Sequence, residues 1–300
     1  MPRLGVDFGG TKIEAAVLGE DGAFLARRRR PNPGDYDGSI EVVRRLIEEV
    51  ETEAGVAGLR VGLGIPGSRR PSDGAVRNAN SVWLNGRLVQ RDLTAALDRP
   101  VRVENDANCF ALSEATDGAG AGAAVVFGVI VGTGCGGGLV VDQALRQGRS
   151  LITGEWGHTP LPWPVANERD SRPCWCGRDG CLETWVSGTA FCLDYTAETG
   201  RRRSGAEIAD LATAGDRSAA AALDRYIDRL GRGLAVVCDI LDPDVIVLGG
   251  GMSNVAEIYP RIGAVLGRWV FCDDFSTPVR PARHGDSSGV RGAAWLWPAE

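Results

Sequence analysis

One histidine and three cysteines are spaced as metal ligands often are. Together they follow the pattern H-x15-C-x-C-x4-C, formed by His158, Cys174, Cys176 and Cys181. Four such side chains can complete the tetrahedral shell of Zn²⁺, and because this shell leaves no position for water, the ion would be structural. The alternative is three reduced cysteines beside an unrelated histidine. The other five cysteines stand in apolar or helical contexts that are typical of small core residues.

Glycine-rich turns that follow short apolar strands are candidates for phosphate binding. The first is Gly9-Gly10-Thr11-Lys12, the second is Gly132-Thr133-Gly134 with Gly136-Gly137, and a looser third is Gly249-Gly250-Gly251. A glycine lets backbone N–H groups approach a phosphate oxygen closely, and a threonine hydroxyl adds a donor. Neither threonine-containing turn fits the P-loop or the dinucleotide-binding fingerprint. We therefore predict phosphates clamped between two hairpins, with two ordinary tight turns as the alternative.

Two aspartates at strand ends could serve phosphoryl transfer. Asp7, beside the first glycine turn, could hold Mg²⁺ directly or through water, or it could form an Asx-type turn. Asp106 stands where a strand ends and a helix begins, so it could be a general base or a plain N-cap. The helix N-terminus favours its ionised form.

The composition excludes several classes of protein. The chain has 300 residues, 44% of them apolar and 24% charged, so a wholly disordered chain is excluded. No apolar stretch approaches the ~20 residues of a membrane span, and we see no secretion signal. The net charge of −6 is unfavourable for binding nucleic acid or anionic membranes. We expect a cytoplasmic protein whose partners are small molecules.

Short strands and helices surround these candidate residues. Apolar patterns predict strands at 4–8, 13–18, 61–65, 101–103, 127–131, 139–141 and 245–248, and helices at about 40–50, 107–115 and 219–241. The charge run from Arg27 to Arg30 is interpreted as a solvated edge. A strand, a glycine turn with threonine and a second strand occur twice, which indicates two related α/β halves facing a cleft.

Several motifs in this order resemble the ROK family of sugar kinases over residues 4 to about 297. They are Leu4–Lys12, Glu104–Asn108, Gly132–Gly138, Gly154–His158 and Cys174–Glu183. The segments Asn78–Asn85, Gly154–Trp163 and His284–Trp297 most resemble the bacterial fructokinase (mannokinase) branch. The loop Gly148–Thr153 departs from the pattern of many members, which bears on sugar selection near it.

The resemblance implies a two-domain α/β fold of the actin-like, ribonuclease-H type, closing on MgATP and sugar across an interdomain cleft. It places a small domain at residues 1–118, rejoined by a C-terminal helix at 286–300. A large domain at 119–285 would carry a zinc-binding loop at 154–183. ATP, catalytic Mg²⁺ and structural Zn²⁺ are the implied cofactors, and a homodimer is the implied assembly.

The resemblance also assigns roles to individual residues. Asp106 corresponds to the catalytic base. The implied sugar-binding set is Gly67, Asn80, Asn105, Asp106, Glu155, His158 and Glu183. The implied ATP-binding set is Gly5, Asp7, Gly9, Gly10, Thr11, Lys12, Gly132, Thr133, Gly134, Gly136, Gly137, Gly249, Gly250 and Gly251. The implied zinc ligands are again His158, Cys174, Cys176 and Cys181.

The function expected from the resemblance is transfer of phosphate from ATP to the 6-hydroxyl of D-fructose, with mannose as a second substrate. The alternatives are an N-acetylglucosamine kinase or a glucokinase of the same family, and, in a different class, a non-catalytic sugar sensor. Only three residues precede Leu4, so we expect no DNA-binding helix-turn-helix. A chaperone-type ATPase would lack both the zinc loop and the pair Glu155 and Glu183.

Overall fold

The computed structural model describes residues 1–169 and 172–298, which form two compact units. The first unit comprises residues 1–122, residues 138–153 and the C-terminal segment from residue 286, and the second comprises residues 123–137 and 154–285. The predicted zinc loop includes residues 170 and 171, and the predicted C-terminal helix includes residues 299 and 300. These four residues lie outside the described part of the chain.

Strands and helices alternate along most of the sequence. The strands are β1 (Arg3–Phe8), β2 (Lys12–Leu18), β3 (Phe24–Pro31), β4 (Val61–Ile65), β5 (Ser68–Arg69), β6 (Val76–Arg77), β7 (Val101–Asn105), β8 (Val125–Val131), β9 (Cys135–Val141), β10 (Ala144–Leu145), β11 (Val245–Gly249) and β12 (Val279–Pro281). The helices are α1 (Tyr36–Ala54), α2 (Val89–Leu97), α3 (Asp106–Thr116), α4 (Glu183–Val186), α5 (Gly188–Thr199), α6 (Gly205–Thr213), α7 (Arg217–Leu241), α8 (Tyr259–Trp269) and α9 (Ser288–Trp295).

The first unit is built on a mixed sheet with the order β3-β2-β1-β4-β7. Successive side chains of a strand point to opposite faces, so Leu4, Val6 and Phe8 lie in a core with apolar residues of α1, whereas Gly5 and Asp7 face α9. A side chain at Gly5 would meet the backbone of α9, which explains the residue type there. This face of β1 carries Asp7 toward the glycine turn that follows.

A second five-stranded sheet has the order β10-β9-β8-β11-β12, with β8, β11 and β12 parallel. The parallel strands β8 and β11 are paired from Val126 and Val245 to Ile130 and Gly249. Because parallel strands end at the same edge, the glycine turns that follow β8 and β11 are neighbours. The long helix α7 covers the predicted range 219–241 and begins at the N-cap Asp216.

The arginine run from Arg27 to Arg30 belongs to the edge strand β3, which the sequence analysis did not predict as a strand. Arg27 and Arg29 both bond the buried carboxylate of Glu14, while Arg28 and Arg30 pair with glutamates of α1. Two arginines of the predicted solvated edge therefore neutralise a buried carboxylate, while the other two form ion pairs at the surface. In the described residues, no helix is long and apolar enough to cross a membrane.

Candidate active site

The turn between β1 and β2 presents Gly10, Thr11 and Lys12 at the surface. Asn32, the residue directly after β3, holds this turn: its side-chain amide donates to the Gly9 carbonyl at 2.8 Å and its backbone N–H donates to the Thr11 carbonyl at 2.9 Å. These bonds occupy carbonyl oxygens and leave the turn free to present N–H groups outward. The turn is thus suited to binding an anion.

Asp7 lies half-buried at the end of β1, among other acidic groups. Burial and the nearby carboxylates of Asp106 and Glu14 raise the pKa of Asp7 to about 7, although Lys12 and Arg29 oppose the shift. An excess of carboxylate charge in a partly desolvated place is what a divalent cation relieves. The residues present therefore fit the predicted Mg²⁺.

Asn105, not Asp106, is the N-cap of α3. The Asn105 side-chain oxygen accepts from the backbone N–H groups of Ala107 and Asn108 at 2.9 and 3.2 Å, and its amide donates to the Gly67 carbonyl at 2.9 Å. Asp106 occupies the first position of the helix, and its side chain is exposed. The plain N-cap considered for Asp106 is therefore taken by its neighbour, and the Asp106 carboxylate is presented at the surface.

The predicted sugar-binding residue Asn80 lies in an exposed loop that Asn85 holds in shape. The Asn85 side chain accepts from the backbone N–H of Ala79 and donates to its carbonyl, both at 3.0 Å. Next along the loop, the Ser81 hydroxyl lies 3.1 Å from where a Cβ on Gly10 would stand. The Asn80 loop and the first glycine turn are therefore adjacent within the first unit.

The two glycine turns of the second unit meet at the ends of β8 and β11. Gly250 has φ +79° and approaches so closely that a Cβ there would lie 2.6 Å from the Val131 carbonyl oxygen. The Gly132 carbonyl accepts from the backbone N–H of Gly188 at 2.7 Å, which ties the turn 132–134 to the start of α5. Beside Gly251 lies a groove of about 490 Å³ that α6 and residues 251–257 line.

Glu183 connects the second glycine turn to the cysteine-rich loop. One oxygen of its carboxylate accepts from the backbone N–H of Cys135 at 2.8 Å, and the other accepts from the indole of Trp175 at 2.7 Å. A Cβ on Gly134 would stand 2.6 Å from the first of these oxygens, so glycine is required for the carboxylate to reach this place. Glu155 is half-buried and precedes Trp156, whose indole donates to the Gly136 carbonyl at 3.1 Å.

The predicted zinc ligands come together in the second unit. The donor atoms of His158, Cys174, Cys176 and Cys181 all lie within 4.8 Å of one another. The sulfurs of Cys176 and Cys181 are 3.6 Å apart, as are the Cys174 sulfur and His158 Nδ1. Ideal tetrahedral zinc bonds of ~2.3 Å to sulfur and ~2.0 Å to nitrogen separate neighbouring ligands by about 3.5–3.8 Å. The cluster therefore has the dimensions of a zinc site.

The two units each carry part of the predicted set. The first holds Asp7, the turn from Gly9 to Lys12, Gly67, Asn80, Asn105 and Asp106, and the second holds the turns 132–134 and 249–251, Glu155, Glu183 and the zinc cluster. Gly136 and Gly137, predicted as part of a glycine turn, lie within strand β9 instead. Sequence reasoning gave no role to Asn32, Asn85 or Trp175. Trp175 is 62% exposed and packs edge-on against His158 with ring centroids 5.1 Å apart. The sequence feature that could have drawn attention to Trp175 is its position between two of the predicted zinc ligands, Cys174 and Cys176.

Comparisons with known proteins agree on one family. The model of the ROK family matches residues 3–300. An N-acetyl-D-glucosamine kinase of Yersinia pseudotuberculosis is 40% identical, and the alignment covers 99% of both chains. The crystal structure of a ROK hexokinase from Thermus thermophilus is 34% identical, with a TM-score of 0.87 over 98% of this chain and 97% of that one. A ROK family glucokinase from Streptomyces griseus, solved with glucose and AMPPNP, is 28% identical, with a TM-score of 0.82 over 99% of each chain.

Proposed function

Because the chain belongs to the ROK family, we propose that it transfers the γ-phosphate of ATP to the 6-hydroxyl of a hexose, first of all N-acetyl-D-glucosamine. The chain is an ATP-dependent sugar kinase of that family and has its actin-like α/β fold with mixed sheets. The observation that carries the choice of sugar is the 40% identity to an N-acetyl-D-glucosamine kinase along essentially the whole chain.

Fructose, the substrate expected from sequence motifs, becomes the second candidate. Its support is the resemblance of the segments 78–85, 154–163 and 284–297 to the fructokinase branch. These segments include the Asn80 loop and the Glu155 motif, which belong to the proposed sugar-binding set. The 40% identity to the N-acetylglucosamine kinase described above extends over essentially the whole chain, whereas the resemblance to the fructokinase branch rests on three short segments. We therefore rank N-acetylglucosamine first.

In the proposed reaction the first unit supplies the base and the metal-binding carboxylate. Asp106, exposed at the start of α3, accepts the proton of the attacking hydroxyl as its oxygen bonds to phosphorus and the bond to the β-phosphate oxygen breaks. Asp7 would hold Mg²⁺, which neutralises phosphate charge when bound. The backbone of the Gly9–Lys12 turn donates N–H groups to phosphate oxygens.

The second unit supplies further phosphate donors and contacts to the sugar. Gly251, at the end of the turn 249–251, lines a groove of about 490 Å³, which we assign to the nucleotide, and the turn 132–134 is the neighbour of that turn. Glu155 and Glu183 accept hydrogen bonds from sugar hydroxyls, and His158 uses its Nε2 for the sugar because its Nδ1 faces the cysteine cluster. Zinc would be held by His158, Cys174, Cys176 and Cys181, and when bound it would cross-link the loop that carries His158 and Glu183.

The test is ADP release by zinc-loaded protein with MgATP and each of N-acetylglucosamine, fructose, mannose and glucose. Preference for N-acetylglucosamine with phosphate at O6 is the expected result, and preference for fructose would move the enzyme to the second candidate. Asp106→Ala should abolish turnover while ATP still binds. Near-normal turnover by this variant would refute its role as the base. If folded protein turns over none of the sugars, a non-catalytic sugar sensor replaces the kinase.

A further inference from the structure

Glu104, the last residue before Asn105, is a buried carboxylate that the proposed mechanism does not use. Its exposed fraction is 8%, yet three N–H donors converge on it. One oxygen accepts from the backbone N–H of Asn105 and from the side-chain amide of Asn108, both at 2.9 Å, and the other accepts from the side-chain amide of Gln147. These bonds compensate for burying the charge.

The two inner bonds hold the residues that flank Asp106. Asn105 caps α3 immediately before Asp106, and Asn108 lies two residues after it in the first turn. The side-chain oxygen of the buried Asn108 has no hydrogen-bond partner among the described residues. The orientation of the Asn108 amide is therefore fixed by its nitrogen, which donates to Glu104. The Glu104 carboxylate therefore determines the geometry of the backbone that carries the proposed base.

The outer bond reaches a loop distant in sequence. Gln147 is exposed and begins the segment 147–153, which leads to the Gly154–His158 motif. An internal bond, in which the Thr153 hydroxyl accepts from the Gly148 N–H at 2.9 Å, closes the segment on itself, and the Arg77 guanidinium holds it from outside by donating to the Ser150 carbonyl at 2.7 Å. Through Gln147, one carboxylate thus joins the end of β7 to this loop.

The Glu104 carboxylate accepts hydrogen bonds on both of its oxygens. A carboxylate has lone pairs on both oxygens, whereas an amide turns one of them into a donor. A glutamine at position 104 could keep the bonds to Asn105 and Asn108 through its oxygen, and its own N–H₂ could donate to the Gln147 oxygen once that exposed amide turns over. A glutamate at position 147 has only acceptors, so Gln147→Glu sets two carboxylates against each other and breaks the outer bond alone.

We propose that Glu104 is a positioning residue for the phosphoryl transfer, acting through Asn105 and Asn108 on the Asp106 carboxylate, and that Gln147 is its partner. This inference rests on the proposed function. A displacement of about 1 Å at a reacting group costs on the order of 100-fold in rate, so loosening these bonds lowers kcat while the Michaelis constants change little. Glu104 does not take the proton, so the shape of the pH profile is retained.

The decisive experiment exchanges the two partners. Gln147→Glu, made singly, sets two carboxylates against each other and should lower kcat by about tenfold. Glu104→Gln, made singly, keeps its hydrogen bonds once the Gln147 amide turns over and should stay within about threefold of wild type. The double variant restores one donor and one acceptor with the side chains reversed, so kcat should return to within about threefold of wild type. Gln147→Asn shortens the partner by one methylene group and should also lower kcat. Gln143→Asn is its matched control in the turn between β9 and β10, where φ is +63° and asparagine is well tolerated.

Several results would overturn the inference. They are a wild-type kcat for Gln147→Glu, a double variant no faster than Gln147→Glu, or a loss of kcat that only follows the fall in Tm. Hydrogen exchange of the backbone amides 105–108 gives a readout without turnover, and unchanged protection in Glu104→Ala, which removes the acceptor of both inner bonds, would also refute the inference. Absence of turnover in the wild type refutes the proposed function instead, and the exchange measurement still decides the role of Glu104.

Discussion

Replacing Asn105 by alanine removes two separable contributions to stability. The side-chain oxygen that caps α3 is lost, which costs about 1 kcal/mol for a typical N-cap. The amide that donates to the Gly67 carbonyl is lost as well, which costs about 1 kcal/mol more for a hydrogen bond of this kind. We expect a total of about 2 kcal/mol.

Asn105→Ser is the matched variant, because serine also caps helices but cannot reach Gly67 with an amide. It should lose only about 1 kcal/mol. In a unit of roughly 150 residues, one kcal/mol shifts Tm by about 3 °C, so the expected losses are about 6 °C for alanine and about 3 °C for serine. Both variants should raise KM for the sugar similarly, because both lack the amide assigned to the substrate.

The assay combines calorimetry of the ligand-free protein with steady-state kinetics. Equal Tm values for the alanine and serine variants would refute the capping argument. A serine variant with the wild-type KM for sugar would refute the assignment of the Asn105 amide to the substrate. The two parts of the reasoning can therefore fail separately.

Three further predictions concern the metal cluster, a glycine turn and Asp7. Cys176→Ser should lose its zinc by metal analysis and unfold at lower temperature, whereas Cys192→Ser, outside the cluster, should keep it; equal zinc in both would contradict the site. Gly250→Ala should lower Tm and raise KM for ATP, because its Cβ meets the Val131 carbonyl at φ +79°, while Gly263→Ala in open space should not; matching Tm values would refute the steric argument. Since the pKa of Asp7 is raised to about 7, the folded protein holds a proton that the unfolded chain releases above about pH 4, so nucleotide-free stability should fall as pH rises from about 4 to about 7. Urea unfolding of Asp7→Asn at several pH values should show a smaller fall, and an identical pH dependence would contradict the shift.

Much of the fold follows from local sequence. Alternating apolar residues predicted β1, β2 and β4, and helical periodicity predicted most of α1 and α7, because burial of one face repeats at a fixed period. The ROK family and its α/β fold, inferred from motifs in a fixed order, are confirmed. The edge strand β3 was missed because arginines on both of its faces resemble a solvated run.

The sequence by itself determined which residue types could do chemistry and roughly where each stands. The zinc pattern, the glycine turns and the aspartates at strand ends are local features, since each depends on neighbours in the chain. What local features leave open is which partner each side chain meets. For the sugar, the motifs favoured fructose, whereas similarity along the whole chain favours N-acetylglucosamine.

Tertiary structure alone decided the partners. It made Asn105 the N-cap of α3 and left the Asp106 side chain exposed. It also placed Asn32 and Asn85 where their side chains support two loops, and it brought three N–H donors to the Glu104 carboxylate. The bond from Glu104 to Gln147 joins residues 43 positions apart. Such contacts depend on sheet register and on where a returning loop crosses a strand end. Neither is encoded in the spacing of residues along one segment, because both arise only when separate segments pack together.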